Sequence, residues 1–289
     1  MQQALLDDLG VLRRIDDHAA RLIGAGGEAQ VYVQRPGQVV RIGRPGTTLE
    51  AAQSRAMLLE EIAANAGHLP FRTPVVDRVV EIGGRVVTLE RELVGEPVSR
   101  LLKTVHGAAR SRLLANYLES AARIGEIGIE RDYFGPLTGD VTLRATTWHG
   151  YLSRRLAVSL DQCPPELDAA IATLVNERFA EPERPALVHL DFFPSNVLAI
   201  DDTVSAVLDF GASTIIGDAR MELWSAAAYL DPEISPDANA ADRAQAMAFL
   251  QARHLDADYA KARRWLAAYW SFAQDDVAVM RWCRRVLLG

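Results

Sequence analysis

Apolar periodicity changes once along this chain, near residue 95, and that change limits the folds open to it. From Arg21 to Leu93 the apolar residues come in short β-type runs, IGAGGEAQVYV, QVVRIG, RVVEIGG and RVVTLERELV. One helical stretch, TLEAAQSRAMLLEEIAANAG, separates the second from the third. Thr47 or Thr48 can cap that helix and Gly67 can close it, with Pro70 and Pro74 following. Beyond Gly95 helical spacing dominates, interrupted between residues 186 and 210 by the apolar runs ALVHLD, NVLAI and SAVLDF. The expectation is an α+β protein: a small antiparallel sheet with one main helix over residues 1–94, then a larger, mainly helical part over residues 95–289. The boundary falls where Gly95 and Pro97 punctuate the change.

Several functional classes are disfavoured at once. A formal charge of −7 argues against a general nucleic-acid binder, which presents a basic face. The excess is uneven: 12 acidic against 11 basic residues up to Val94, and 26 against 20 beyond it. A cationic partner for the second part is therefore one reading, and an acidic surface that keeps the chain soluble is the other. No stretch of about 18 apolar residues occurs without a charge, so no membrane span is expected. The opening MQQALLDDLGVLRRIDDHAARLIG carries Asp7, Asp8, Asp16 and Asp17, and it reads as an amphipathic helix rather than a signal peptide. Two cysteines, Cys163 and Cys283, give no disulfide framework and suit a reducing cytoplasm.

Chemistry concentrates in VHLDFFPSNVLAI from Val188, followed by VLDFG from Val207. Phosphoryl transfer needs a carboxylate to accept or orient an attacking hydroxyl, and oxygen ligands for magnesium on the nucleotide phosphates. Asp191 and Asn196 stand five residues apart, the Asp-x-x-x-x-Asn spacing of a kinase catalytic loop, and Asp209 opens an Asp-Phe-Gly after an apolar run. Asp191 is thus the candidate catalytic carboxylate, with Asn196 and Asp209 the candidate Mg2+ ligands. An ordinary hairpin with polar turn residues would leave that spacing unexplained.

A second feature is the run Ile23-Gly24-Ala25-Gly26-Gly27-Glu28-Ala29-Gln30-Val31. Its glycines lead into a strand, whereas a P-loop or a dinucleotide-binding turn would open a helix, and no GKS or GKT occurs. A phosphate-covering flap between antiparallel strands fits, as does a plain glycine hairpin. Such a flap usually works with a cation on the next strand. Only Lys103 and Lys261 are lysines, so the candidate on Val39-Val40-Arg41-Ile42 is Arg41. Its acidic partner stays open: Glu60 and Glu61 lie on the helix, with Arg55 near the centre of the apolar stripe and Glu61 at its edge.

Together these residues resemble the aminoglycoside phosphotransferase and choline-kinase-like family of small-molecule kinases. The resemblance spans the flap at Gly24 to Val31, the turn Val94-Gly95-Glu96-Pro97, the block from His189 to Gly211 and the segment Gly217-Asp218-Ala219-Arg220-Met221-Glu222-Leu223. It implies a two-lobed protein-kinase-like fold, residues 1–94 binding nucleotide and 95–289 carrying catalysis and substrate. ATP or GTP would be donor, with Mg2+, and the acceptor a small hydroxyl-bearing molecule, cationic or not, such as an aminoglycoside, macrolide or amino alcohol. Gly24 and Gly26 would meet phosphate, and Glu90 to Leu93, including Glu92, would meet the base as a hinge. Val31, Val39, Leu198 and Leu208 would sandwich that base, or form plain core. Leu190 and Ser195 stand where the family often has Gly, Arg41 where it usually has Lys, and Glu222 where it usually has Asp.

In this family the acceptor lies near the segment after Asp-Phe-Gly, which here holds Asp218, Glu222, Asp231, Glu233 and Asp237. They either converge on one cleft or serve as helix caps and solvated turn residues. The aromatic run Tyr259, Trp265, Tyr269, Trp270 and Phe272 reads as core or as a ring-binding face, and Phe134-Gly135 with Trp148-Tyr151 is a candidate flank. A protein kinase of the same fold is disfavoured, because Gly217-Asp218 follows Asp209 too soon for an activation loop. A nucleotide-binding pseudokinase is disfavoured by the presence of Asp191, Asn196 and Asp209.

Overall fold

The computed structural model describes residues 5–16 and 20–289. Residues 1–4 and 17–19, which hold Asp17 and part of the expected leading helix, lie outside the described residues. The chain forms two compact units, one made of the residues up to His68 with Arg72–Val94, the other of Leu69–Phe71 with Gly95–Gly289.

In the first unit α1 (Asp8–Ile15) precedes β1 (Arg21–Ala25), β2 (Ala29–Arg35) and β3 (Gln38–Gly43). Next come α2 (Leu49–Asn65), β4 (Val76–Ile82) and β5 (Arg85–Arg91). The strands make one antiparallel sheet in the order β1-β2-β3-β5-β4. Its inward residues, Val40, Ile42 and Val87, are fully buried and pack with Val11 and Leu12 of α1, each contributing about 2 kcal/mol of apolar burial. Thr48 caps α2, its hydroxyl accepting from the Ala51 N–H at 3.2 Å. Gly67 does not close this helix through a left-handed turn; the cap is Ala66, at φ −93°.

The second unit opens with β6 (Glu96–Pro97), α3 (Val98–Leu101) and α4 (Gly107–Ile124). After β7 (Gly135–Pro136) come α5 (Trp148–Gln162) and α6 (Asp168–Leu174). The strands β8 (Ala186–Val188), β9 (Val197–Ile200), β10 (Thr203–Val207) and β11 (Ile215–Gly217) follow, and then α7 (Ala219–Ala228), α8 (Ala240–Ala252), α9 (Asp256–Trp270) and α10 (Val277–Leu288). Two three-stranded sheets, β10-β9-β6 and β7-β11-β8, frame the Asp191 region. Gly95 enters the first of them at φ +144°, and a Cβ there would stand 2.5 Å from the Ser205 hydroxyl, so only glycine fits this approach. Helix α7 is buried on every face from Met221 to Ala228, polar Glu222 and Ser225 included.

Candidate active site

The loop between β8 and β9 holds its shape through buried side chains. His189 is fully buried; its Nδ1 accepts from the Asp191 N–H at 3.1 Å, so the proton sits on Nε2, which donates to the Leu208 carbonyl at 2.7 Å. Burial lowers the His189 pKa to about 4, the Leu208 hydrogen bond opposing only part of that shift. The imidazole is therefore a neutral strut between this loop and the residue before Asp209. Asn196 adds two more ties. Its Nδ2 donates to the Asp191 carbonyl at 2.9 Å, and its own carbonyl accepts from the Leu208 N–H at 2.8 Å. The antiparallel pairing of Val197 with Val207 brings the start of β9 to the end of β10. Asp191 and Asn196 are thus tied by hydrogen bonds to Leu208, the residue that precedes Asp209.

Two residues here take left-handed backbone, Leu190 at φ 62° and Asp209 at φ 55°. Asp tolerates that region, while a leucine there costs roughly 1–3 kcal/mol. Leu190 is also fully buried, and truncating such a side chain costs about 2–5 kcal/mol, so its packing outweighs its strain where the resembling family often has glycine. The backbone is pinned on both sides. Glu222 Oε2 accepts from the His189 N–H at 2.5 Å and the Leu190 N–H at 3.2 Å, and the Tyr229 hydroxyl donates to the Leu190 carbonyl at 2.5 Å. Burial raises the Glu222 carboxyl to a pKa of about 7, partly offset by the Leu190 and His189 N–H groups, and its Oε1 has no hydrogen-bond partner. Tyr229 in turn accepts from the Trp270 indole N–H at 2.6 Å and stacks on Phe193 with centroids 3.8 Å apart. The role of Tyr229 carried no signal in the sequence.

A cavity of about 370 Å³ opens beside this loop, lined in part by Asp191, Asn196, Phe193 and Trp270. Of the five acidic residues after Asp-Phe-Gly, only Asp237 reaches it. Asp218 caps α7 and pairs with Arg220 at 2.6 Å, Asp231 pairs with Arg285 at 2.7 Å, and Glu233 also binds Arg285. They are caps and internal ion pairs rather than one acidic cleft. Tyr259, Trp265 and Tyr269 are core, as are Phe134, Trp148 and Tyr151, whereas Phe272 is exposed.

In the first unit the flap glycines Gly24, Gly26 and Gly27 keep negative φ, and a Cβ on any of them meets nothing closer than the Val31 side chain, 3.7 Å from Gly24. Nothing in the protein itself demands glycine there. The turn is held by the Gly26 N–H to the Ala29 carbonyl at 2.9 Å and by Arg44, which donates to the Gly26 carbonyl at 2.8 Å. Arg41 pairs with Glu28 of the flap at 3.2 Å. The helix instead offers a cation: Arg55 binds Glu90 of β5 at 2.8 Å, and Glu90 also accepts from the Thr88 hydroxyl. Glu92 accepts from the Gly37 N–H at 2.9 Å, tying the end of β5 to the β2–β3 turn. Val31 is half-buried, and Val39 and Leu198 are buried.

Magnesium fits the donors present. The Asn196 amide spends its Nδ2 on the Asp191 carbonyl, which leaves Oδ1 as the hard oxygen, and the Asp209 carboxylate is a second one. Among the described residues no group of three or more His, Cys, Asp or Glu converges as a metal cage. One amide and one carboxylate suit an ion that keeps waters and phosphate oxygens in its shell.

A five-stranded antiparallel sheet followed by a mainly helical unit, with Asp-x-x-x-x-Asn locked to Asp-Phe-Gly, has the make-up of a kinase-like α+β fold. The chain belongs to the phosphotransferase enzyme family, which matches residues 19–269. No curated protein matches it in sequence. Among solved structures, a thermostable mutant of aminoglycoside phosphotransferase APH(4)-Ia in ternary complex with AMP-PNP and hygromycin B aligns with TM-score 0.68 at 17% identity, over 93% of each chain. The gentamicin complex of APH(2")-IIa aligns with TM-score 0.67 at 14% identity, over 99% of this chain and 97% of that one. Macrolide 2'-phosphotransferase MphH from Brachybacterium faecium aligns with TM-score 0.56 at 18% identity, over 98% of both. At these identities the likeness is one of fold. No helix among the described residues is long and apolar enough to cross a membrane.

Proposed function

We propose that the protein transfers the γ-phosphate of ATP to a hydroxyl of a small molecule. The observation that carries this reading is the hydrogen-bonded unit in which neutral His189 and the Asn196 amide hold Asp191 beside the start of Asp-Phe-Gly. Asp191 orients the acceptor hydroxyl and takes its proton as the new O–P bond forms; the bond from phosphorus to the β–γ bridging oxygen breaks, and ADP leaves. Asn196 Oδ1 and the Asp209 carboxylate are the ligands for Mg2+, which supplies charge neutralisation on the phosphates when bound.

In the first unit the space around Gly24, Gly26 and Gly27 supports a role for the flap in approaching phosphate oxygens, and Arg41 is the cation for them. Val31 and Val39 offer apolar contact to the base, and the backbone of Glu90–Leu93, including Glu92, offers it hydrogen bonds. The fold neighbours crystallised with AMP-PNP and with aminoglycosides favour ATP and a small acceptor. The free thiols of Cys163 and Cys283 suit a reducing cytoplasm.

Asp191→Ala tests the assignment directly. Turnover should fall by about 10²–10⁴-fold while the melting temperature and the affinity for ATP with Mg2+ stay close to those of the unaltered protein. Undiminished turnover would remove Asp191 from the mechanism. Ranking GTP against ATP in the same assay fixes the donor.

A further inference from the structure

Resting on that phosphotransferase reading, we infer that the acceptor is a neutral or singly cationic alcohol with an apolar face, and that polycationic acceptors are poor substrates. The cavity beside Asp191 is where this is decided. At about 370 Å³ it is near the lower end of small-molecule sites. One side is apolar: Leu102, Phe193, Ile234, Trp270 and Val279 line it. The Trp270 indole is fixed by its hydrogen bond to Tyr229, so it presents a rigid ring for an apolar group or one ammonium.

Negative charge in the cavity is limited to three carboxylates, two of them already answered. Besides Asp191, its carboxylates are Asp237 and Asp276. The Lys103 ammonium lies 3.5 Å from Asp237. Asp276 caps α10, one oxygen accepting from the Ala278 and Val279 N–H groups at 3.0 Å each, so the positive end of that helix offsets it. Asp218, Asp231 and Glu233 are spent on arginines, and Glu222 on backbone N–H groups. A ligand with several ammonium groups would have to desolvate them with at most one partly compensated carboxylate per charge, which is unfavourable. One ammonium, or none, meets no such cost.

The cavity walls are also held rigid. Buried Arg110 donates to the Leu102 carbonyl at 2.5 Å and the Asp237 carbonyl at 2.9 Å while paired with Asp242 at 2.5 Å, so the space is not free to widen around a larger polycation.

The test is steady-state kinetics of the full chain with ATP and Mg2+ on a fixed panel: 2-amino-1-phenylethanol, octyl glucoside, gentamicin and hygromycin B. The singly charged or neutral alcohols should give the higher kcat/KM, with at most a few-fold loss on raising the salt. Trp270→Ala should raise the acceptor KM about tenfold and leave the KM for ATP unchanged. Gentamicin or hygromycin B turned over as efficiently as the others, or an acceptor KM indifferent to Trp270→Ala, overturns the inference while leaving the phosphotransferase reading intact. Thermal shift with ATP and Mg2+ but no phosphorylated product from any member overturns both.

Discussion

Around Leu190 the backbone N–H and C=O both end on buried side chains, Glu222 and Tyr229, and the residue is held in a conformation leucine seldom adopts. Around Gly26 the chain is held by backbone hydrogen bonds from Gly26 and Arg44 and by two partly exposed arginines, Arg44 and Arg41, in unstrained backbone where no glycine is crowded. The first region is over-determined by the protein, and strain of this kind persists only where the surroundings fix it. The second is under-determined, and its glycines gain a physical reason only from something outside the chain. Under the proposed phosphotransferase reading, a loop that presents one carboxylate at a fixed place and a flap that adapts to phosphates call for these opposite constructions.

Cutting the ties of the rigid region should have the largest effect. Glu222→Ala leaves the buried N–H groups of His189 and Leu190 without an acceptor, at about 1–3 kcal/mol each, so the variant should be destabilised by several kcal/mol in chemical denaturation. A loss below about 1 kcal/mol would show that the loop does not depend on this carboxylate. The same residue gives a pH signature. Its folded pKa of about 7 exceeds that of an unfolded glutamate, near 4.3, so between those values the folded state binds the extra proton. Its contribution to stability is full below about pH 4.3, declines as pH rises towards 7, and is level above it, a change on the order of 3 kcal/mol. Glu222→Gln should flatten that slope, which a denaturation series across pH would reveal.

Tyr229→Phe ranks next. It removes the donor to the Leu190 carbonyl and the acceptor of the Trp270 indole N–H while keeping the stack on Phe193, and it should cost about 1–3 kcal/mol. Because the hydroxyl joins the cavity wall to the residue before Asp191, kcat and the acceptor KM should both worsen while the KM for ATP holds. An effect confined to stability would reduce Tyr229 to a core residue.

How far these regions could be read from the sequence follows from the range of the interactions that build them. The strands of the first unit and the Asp191–Asn196–Asp209 spacing are local patterns, and both were legible. Gly217-Asp218 and Glu222 were visible as a motif, but not that Glu222 would accept from the His189 and Leu190 N–H groups, nor that Arg285 would return to Asp231 from 54 residues away, and no periodicity encodes such meetings. Arg55 was noticed on the apolar stripe of its helix without its reason, which is Glu90 on β5. Tyr229 stood just after a helix whose apolar residues mark no single face. The strand Ile215–Gly217 was too short to show alternation.

The smallest structural effect is expected in the flap, and there it is the discriminating one. A Cβ on Gly27 meets nothing within 4 Å, and its φ is not positive. Gly27→Ala should therefore leave stability unchanged or raise it by up to about 1 kcal/mol, since alanine narrows the unfolded ensemble. If phosphates approach this backbone, the same methyl group stands in their way. The KM for ATP should then rise while melting temperature and the acceptor KM stay put, the reverse of the Tyr229→Phe pattern. Unaltered ATP kinetics in Gly27→Ala would return the flap to an ordinary hairpin and leave the proposed reading resting on the constrained loop around Leu190.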